Sequence, residues 1–226
     1  LLIGKKTTNF LPQRNCSYIK KLTILALALI LLLPTINLAV EQEKYLTAEE
    51  VFSEEEVEKL AERVGKKKLE LDKGISSFNS KQSMGSYPRR KGVILVTEDK
   101  FKGIIPTGHA AIVYSYGTVV ESLSGGVTTG ANDWYQTRKT CYGATVIGTT
   151  VEEDAKAADW CYKQIGKPYN WNYLNPHTRS KFYCSQLIYA AFLDNYGINL
   201  DTSAFGVAVH PMELIDSSNT IKIYEK

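Results

Sequence analysis

Apolar positions along this chain change their period several times, and each change marks a different kind of element. Leu22 to Leu33, LTILALALILLL, is almost unbroken apolar sequence. Val57, Leu60, Ala61 and Val64 then fall at i, i+3, i+4 and i+7, one stripe of an amphipathic helix. VILVT (93–97) reads as a short buried strand. HAAIVYSYGTVVES (109–122) reads as two strands joined near Tyr116-Gly117, and CYGATVIGTT (141–150) as another. Helical spacing returns in TVEEDAKAADWCYKQIG from Thr150 and in CSQLIYAAFLDNYG from Cys184. A helical turn after Pro211 and the strand TIKIYE close the chain. The order predicts an α+β fold, an antiparallel sheet packed against helices.

Polar residues punctuate these elements. Thr47 with Glu50, Ser53 with Glu56, and Thr150 with Glu153 have the spacing of capping boxes, which satisfy the first free amides of a helix. A helix is expected over 47–64, with Gly65 as its stop and Lys66 to Lys68 at its negative end. Residues 72–92 read as a polar connector. The divisions are a leader at 1–39, a helical extension with its connector at 40–89, and a domain at 90–226.

The leader changes the charge picture. Lys5, Lys6, Arg14, Lys20 and Lys21 precede the apolar run without any acidic residue, and Pro34 and TINLAV follow it. That is the layout of a secretory signal peptide, with cleavage expected after Ala39. An uncleaved N-terminal anchor is the alternative, because Leu22 to Val40 approaches the roughly 20 residues a spanning helix needs. Cys16 lies before the apolar run, so it is not a lipid-bearing cysteine. Either way the domain is expected to be secreted or held at the cell envelope, touching a membrane only through this segment. The chain carries 27 basic and 24 acidic residues, and the leader accounts for the whole excess of positive charge. No basic stripe suited to nucleic acid remains. Cys141, Cys161 and Cys184 form an odd set in the exported part, so at least one is unpaired or pairs with another chain. A disulfide between Cys141 and Cys161 stays open at this point.

Cys184 heads an apolar stripe with Leu187, Ile188 and Ala191. At the N-terminal end of a helix, free amides and the dipole favour a thiolate and can hold an oxyanion. The bland alternative is a buried inert thiol. A nucleophile needs a base, and the chain has three histidines, His109, His177 and His210. His177 sits in a polar loop, and His210 precedes Pro211, which restricts it to extended backbone. His109 opens a strand and shares a face with Ala111 and Val113, so its ring is expected near a helix packed on the sheet. If the two strands pair about Tyr116-Gly117, Glu121 returns beside the start of the first. There it can accept the second imidazole N–H and orient the ring. A solvent-facing sheet residue is the alternative for Glu121.

TGHAAIVY, VVESLSGGV, GKPYNWNY and KFYCSQLIYAAF, in that order, resemble the permuted branch of the NlpC-type papain-like cysteine peptidases, the YiiX/YycO-like group. Histidine precedes cysteine here, as circular permutation of a papain-like site requires. The resemblance covers about residues 90–225. It implies Cys184 as nucleophile, His109 as base and Glu121 as the orienting residue, with Tyr169 lining the site and helping to hold the oxyanion. Relatives usually read Gly-Asp-Ile-Leu at the first strand, whereas this chain has Gly92-Val-Ile-Leu95. For an exported member the resemblance implies a thiol-dependent peptidase or amidase acting on peptide stems of the bacterial cell wall, as a monomer. Acyl transfer or ester hydrolysis on lipid is the nearest rival, and a non-catalytic wall- or protein-binding module the more distant one. No cofactor is expected, since the sequence has no metal-ligand spacing, no phosphate loop and no serine-hydrolase elbow. Trp134, Tyr135, Tyr169, Trp171 and Tyr173 are candidates to wall a groove, or simply to pack a core.

Overall fold

The computed structural model describes residues 45–75, 85–99 and 108–226. The expected leader and its cleavage point lie outside the described residues. Among the described residues no helix is long and apolar enough to cross a membrane.

Six strands form one sheet: β1 (Ile94–Thr97), β2 (His109–Ser115), β3 (Thr118–Leu123), β4 (Gly126–Ala131), β5 (Tyr142–Val146) and β6 (Thr220–Glu225). They lie in the order β4-β3-β2-β1-β5-β6, and every neighbouring pair is antiparallel. The helices are α1 (Ala48–Val51), α2 (Glu54–Lys66), α3 (Trp134–Thr137), α4 (Val151–Tyr162), α5 (Cys184–Tyr196) and α6 (Glu213–Asp216). The α+β class and the antiparallel sheet are as the sequence predicts.

β1 explains the unbroken apolar run at 93–96. Ile94 and Val96 face one core, with Leu187, Ile188 and Ala191 of α5 and Ala157 and Ala158 of α4. Val93 and Leu95 face a second core with Trp134, Cys141 and Tyr224. A strand covered on both faces has no reason to alternate. Val57, Leu60 and Val64 of α2 join the first core, so the extension packs on the sheet domain.

Several local expectations need correction. The segment 47–64 is two helices, because Phe52 and Ser53 break it. Phe52 is buried edge-on against Tyr173, Phe205 and His210, and its helical φ/ψ is lost to that packing. Thr47 and Glu50 form their capping box, whereas Ser53 makes no side-chain cap. Gly65 does not stop α2, which continues to Lys66 and caps at Lys67, whose ammonium donates to the carbonyls of Ile215 and Ser217. GVTTGA, to which no element was assigned above, is the edge strand β4. The described ends of the connector are pinned and not merely solvated. Arg90 bridges Asp72 and the buried Asp154, Lys73 also reaches Asp154, and Tyr87 donates to Asn132 and accepts from the Trp134 amide.

Candidate active site

Gly108 admits the chain to β2 with φ at +151°, a conformation that disfavours any Cβ, and a Cβ there would press on the Thr97 carbonyl. His109 follows as the first residue of β2, wholly buried. β3 returns antiparallel through Tyr116-Gly117, pairing Glu121 with Ala111. The side chains of Glu121 and His109 therefore point to the same face, two residues apart in register. Imidazole Nε2 and Glu121 Oε2 stand 2.6 Å apart. That leaves Nδ1 to meet Cys184, with which the ring shares a hydrogen bond. Trp134 covers the imidazole, its ring centroid 5.6 Å away and tilted by 30°.

The ring meets a helix packed on the sheet, as expected, although that helix does not lie on the His109 face of β2. α5 packs on the other face, against Ala110, Ile112 and Val120, while Ala111, Val113 and Trp134 belong to the second core. The contact is made where two elements begin: His109 is the first residue of β2 and Cys184 the first of α5.

Cys184 is 1% exposed, at the helix position where the first amides lack an intrahelical acceptor. Burial disfavours charge on His109, but the bonds to Cys184 and Glu121 and the negative charge of both outweigh it and raise the imidazole to about 9. At neutral pH the ring is therefore protonated, with the Cys184 sulfur on one side and the Glu121 side chain on the other. Tyr169, nearly buried, keeps its proton far above the usual phenol range, first through burial and then through the charge of Cys184 beside it. Its hydroxyl lies 3.4 Å from that of Tyr173 and is a neutral donor suited to an oxyanion.

All four expected site residues, Cys184, His109, Glu121 and Tyr169, are thus brought together. The other two histidines are not. His177 is exposed, and His210 is buried against Phe52 and Phe205, with burial pushing it down to about 3. The aromatic set divides: Tyr169, Trp171 and Tyr173 cluster on the cysteine side, while Tyr135 packs on Tyr87 behind the sheet. Cys141 and Cys161 are free and buried, so the open disulfide is absent.

Two polar residues that sequence reasoning passed over hold the cysteine in place. Ser122, next to Glu121 but on the opposite face of β3, donates 2.6 Å to the carbonyl of Phe182. One strand thus carries both the carboxylate that orients the base and the anchor for the chain entering α5. Gln186, fully buried, uses its whole amide. Oε1 accepts from the Tyr183 and Asn170 side of the site, and Nε2 donates to the Pro176 and Thr178 carbonyls. A glutamine three residues after the helix N-cap was the available signal, hidden because Tyr183 is not a usual capping residue. Gln186→Ala leaves several buried polar groups without partners. We expect it to cost about 3 kcal/mol of stability, read by urea denaturation. The motif Gly166 to Tyr169 serves the same end. The Gly166 amide donates to the Val127 carbonyl, the Val127 amide to the Lys167 carbonyl, and the Phe182 amide to the Pro168 carbonyl.

Residues 95–213 match the family described as permuted papain-like amidase enzyme, YaeF/YiiX, C92 family. The uncharacterized protein YycO of Bacillus subtilis (strain 168) is 29% identical over 162 residues, which are 69% of this chain and 64% of that protein. The chain thus spans under two-thirds of that relative's length. Among solved structures, the crystal structure described as metalloprotein yiiX from Escherichia coli O157:H7 aligns with a TM-score of 0.50 at 14% identity. It covers 61% of this chain and 98% of that one, a likeness of fold. Among the described residues of this chain, no group of three or more His, Cys, Asp or Glu side chains is placed to hold a metal ion.

Proposed function

We infer from one premise, that this chain belongs to the permuted papain-like amidase family YaeF/YiiX, C92, that it is an exported amidase working through Cys184, His109 and Glu121. Membership by itself makes the chain a papain-like amidase or hydrolase. The finer reading rests on one observation: the imidazole bonded to Glu121 at 2.6 Å on one nitrogen and to Cys184 through the ring's other side.

In this reading Cys184 Sγ attacks the substrate carbonyl carbon as a thiolate, its proton already on His109. The C=O electron pair moves to oxygen, where the Cys184 amide and the Tyr169 hydroxyl donate to it. As the tetrahedral centre collapses, the C–N bond breaks and His109 Nδ1–H protonates the leaving amine. A water then gives its proton to His109 and attacks the thioester. The C–S bond breaks, a carboxylic acid leaves and the thiolate–imidazolium pair is restored. Glu121 keeps its negative charge throughout and holds the ring's plane.

The proposed substrate is a peptide stem of the bacterial cell wall, reached by export through the leader and acted on by a monomer. Support comes from the basic, apolar and small-residue order of residues 5–39 and from the family's amidase chemistry. An acyl substrate is the second reading. It is favoured by Leu174 and Val207, both about half exposed on the two loops that Tyr183 bolts together through the Tyr173 carbonyl and the Val209 amide. Purified peptidoglycan and phospholipid vesicles, each incubated with wild type and with Cys184→Ala, separate the readings. New amino groups from peptidoglycan that require Cys184 support the amidase. Fatty acid released from vesicles alone replaces it with the acyl reading, and no turnover with slow, pH-insensitive alkylation of Cys184 makes the protein a binding module.

A further inference from the structure

Gly130 sits inside β4, paired with Val119 of β3, and not in a turn. Its φ is not positive, unlike that of Gly126 at the start of the same strand. Conformation therefore does not require glycine at 130, and a glycine within a strand weakens it by packing nothing. Space does require it. A Cβ built on Gly130 would overlap Glu121 Oε1 and stand 3.0 Å from Glu121 Cδ. Glu121 is itself opposite Thr128, so its side chain leans diagonally across the strand onto the bare backbone of Gly130.

We propose that Gly130 is a positioning residue for the Glu121–His109–Cys184 set, an inference that rests on the reading of that site given above. The missing side chain is the notch in which Oε1 lies while Oε2 stays on His109 Nε2. The atoms that a Cβ would strike are the end of a flexible side chain, not backbone. Alanine at 130 is therefore accommodated by moving the carboxylate, and the sheet stays closed. A displaced carboxylate holds the imidazolium less tightly, so the ring loses its proton at lower pH. Among the described residues, the charged groups near the ring besides Glu121 include Cys184 from α5 and, behind Trp134 of α3, the guanidinium of Arg138, 5.0 Å from the indole. Neither is touched by the substitution.

Carboxymethylation of Cys184 by iodoacetate reads the ring without any substrate, because the reagent's carboxylate is drawn to the imidazolium. The wild-type rate is expected to fall at alkaline pH as His109 deprotonates. Gly130→Ala brings that fall about one pH unit lower, as weakening an opposite charge does. Glu121→Ala brings it at least as low, and adding Gly130→Ala to Glu121→Ala changes nothing more. Gly125→Ala, in the β3–β4 turn where a Cβ meets nothing within 4 Å, keeps the wild-type profile. If Gly130→Ala is too unstable to assay, the same cycle is read in the thermal midpoint, where the deficit must vanish in the Glu121→Ala background. An unshifted profile in folded Gly130→Ala, or a deficit that persists without Glu121, overturns the role of Gly130. A wild-type profile that His109→Ala leaves unchanged overturns the site reading itself.

Discussion

Cys184→Ala is expected to lower amide hydrolysis by at least about 10⁴-fold while the protein stays folded. The loss is large because the sulfur is the only atom of the site that bonds to substrate in the proposed cycle, and a methyl group cannot replace that bond. What survives is oxyanion stabilisation and binding, which is why the loss stops short of the whole rate enhancement. Folding survives because alanine suits the first turn of a helix and Leu187, Ile188 and Ala191 anchor α5 without the thiol. Cys141→Ala and Cys161→Ala are the matched comparisons and are expected to keep activity. All three cysteines are buried, so exposure does not distinguish them. Chemistry does: burial pushes the Cys141 thiol up to about 12 and the Cys161 thiol higher still, and neither has an imidazole partner in its set of neighbours. Mass spectrometry after brief iodoacetamide treatment at pH 7 should therefore find the adduct on Cys184 and not on Cys141 or Cys161. Full activity in Cys184→Ala would sink the nucleophile assignment.

The second large effect is on pH. His109 is held protonated to about 9, so kcat/KM should be level through neutral pH and fall above about 9 as the proton that the leaving amine needs is lost. Glu121→Gln removes one of the two negative charges that raise the ring, so the alkaline limb moves down. The same shift bears on stability. The folded imidazole titrates above its ordinary value of 6.5, so its contribution is fully present below pH 6.5 and is lost as pH rises through about 9. Urea midpoints taken across that window should fall in wild type and stay flatter in His109→Ala. A limb unmoved by Glu121→Gln would mean that the 2.6 Å contact does not tune the base.

Much of this was legible in the chain because the information is local. The apolar runs on either side of Tyr116-Gly117 define β2 and β3, but the turn alone would set Glu121 opposite Ile112, and the bulge between Val113 and Ser115 shifts it opposite Ala111, onto the His109 face. Thr150-x-x-Glu153 and Gly197 mark the helix ends they are seen to cap, with Gly197 left-handed at φ 67°. The break at Phe52 was not legible. A phenylalanine inside a helical period looks like one more stripe member, and only Tyr173, Phe205 and His210, more than a hundred residues away, turn it out of the helix. β4 was hidden for a similar reason. Its glycines interrupt a strand pattern, yet Gly126 gives way to the Lys167 carbonyl and Gly130 to the Glu121 carboxylate, neighbours that only the folded sheet supplies.

The sequence alone determined the α+β class and most of the elements, and it offered Cys184, His109 and Glu121 as candidates whose roles the resemblance to a family supplied. Which face of the sheet the cysteine helix takes was decided only in three dimensions. β2 is apolar on both sides, and a pattern without alternation carries no preference for either. The tertiary structure resolves it by joining the beginnings of β2 and α5, with Ser122, Gln186 and the bare backbone of Gly130 holding the parts in line. Ser122 acts through Phe182 on a distant segment, and Gln186 and Gly130 act through neighbours that only the folded loop and the β3–β4 pairing bring against them, so a periodic pattern along the chain does not encode those contacts.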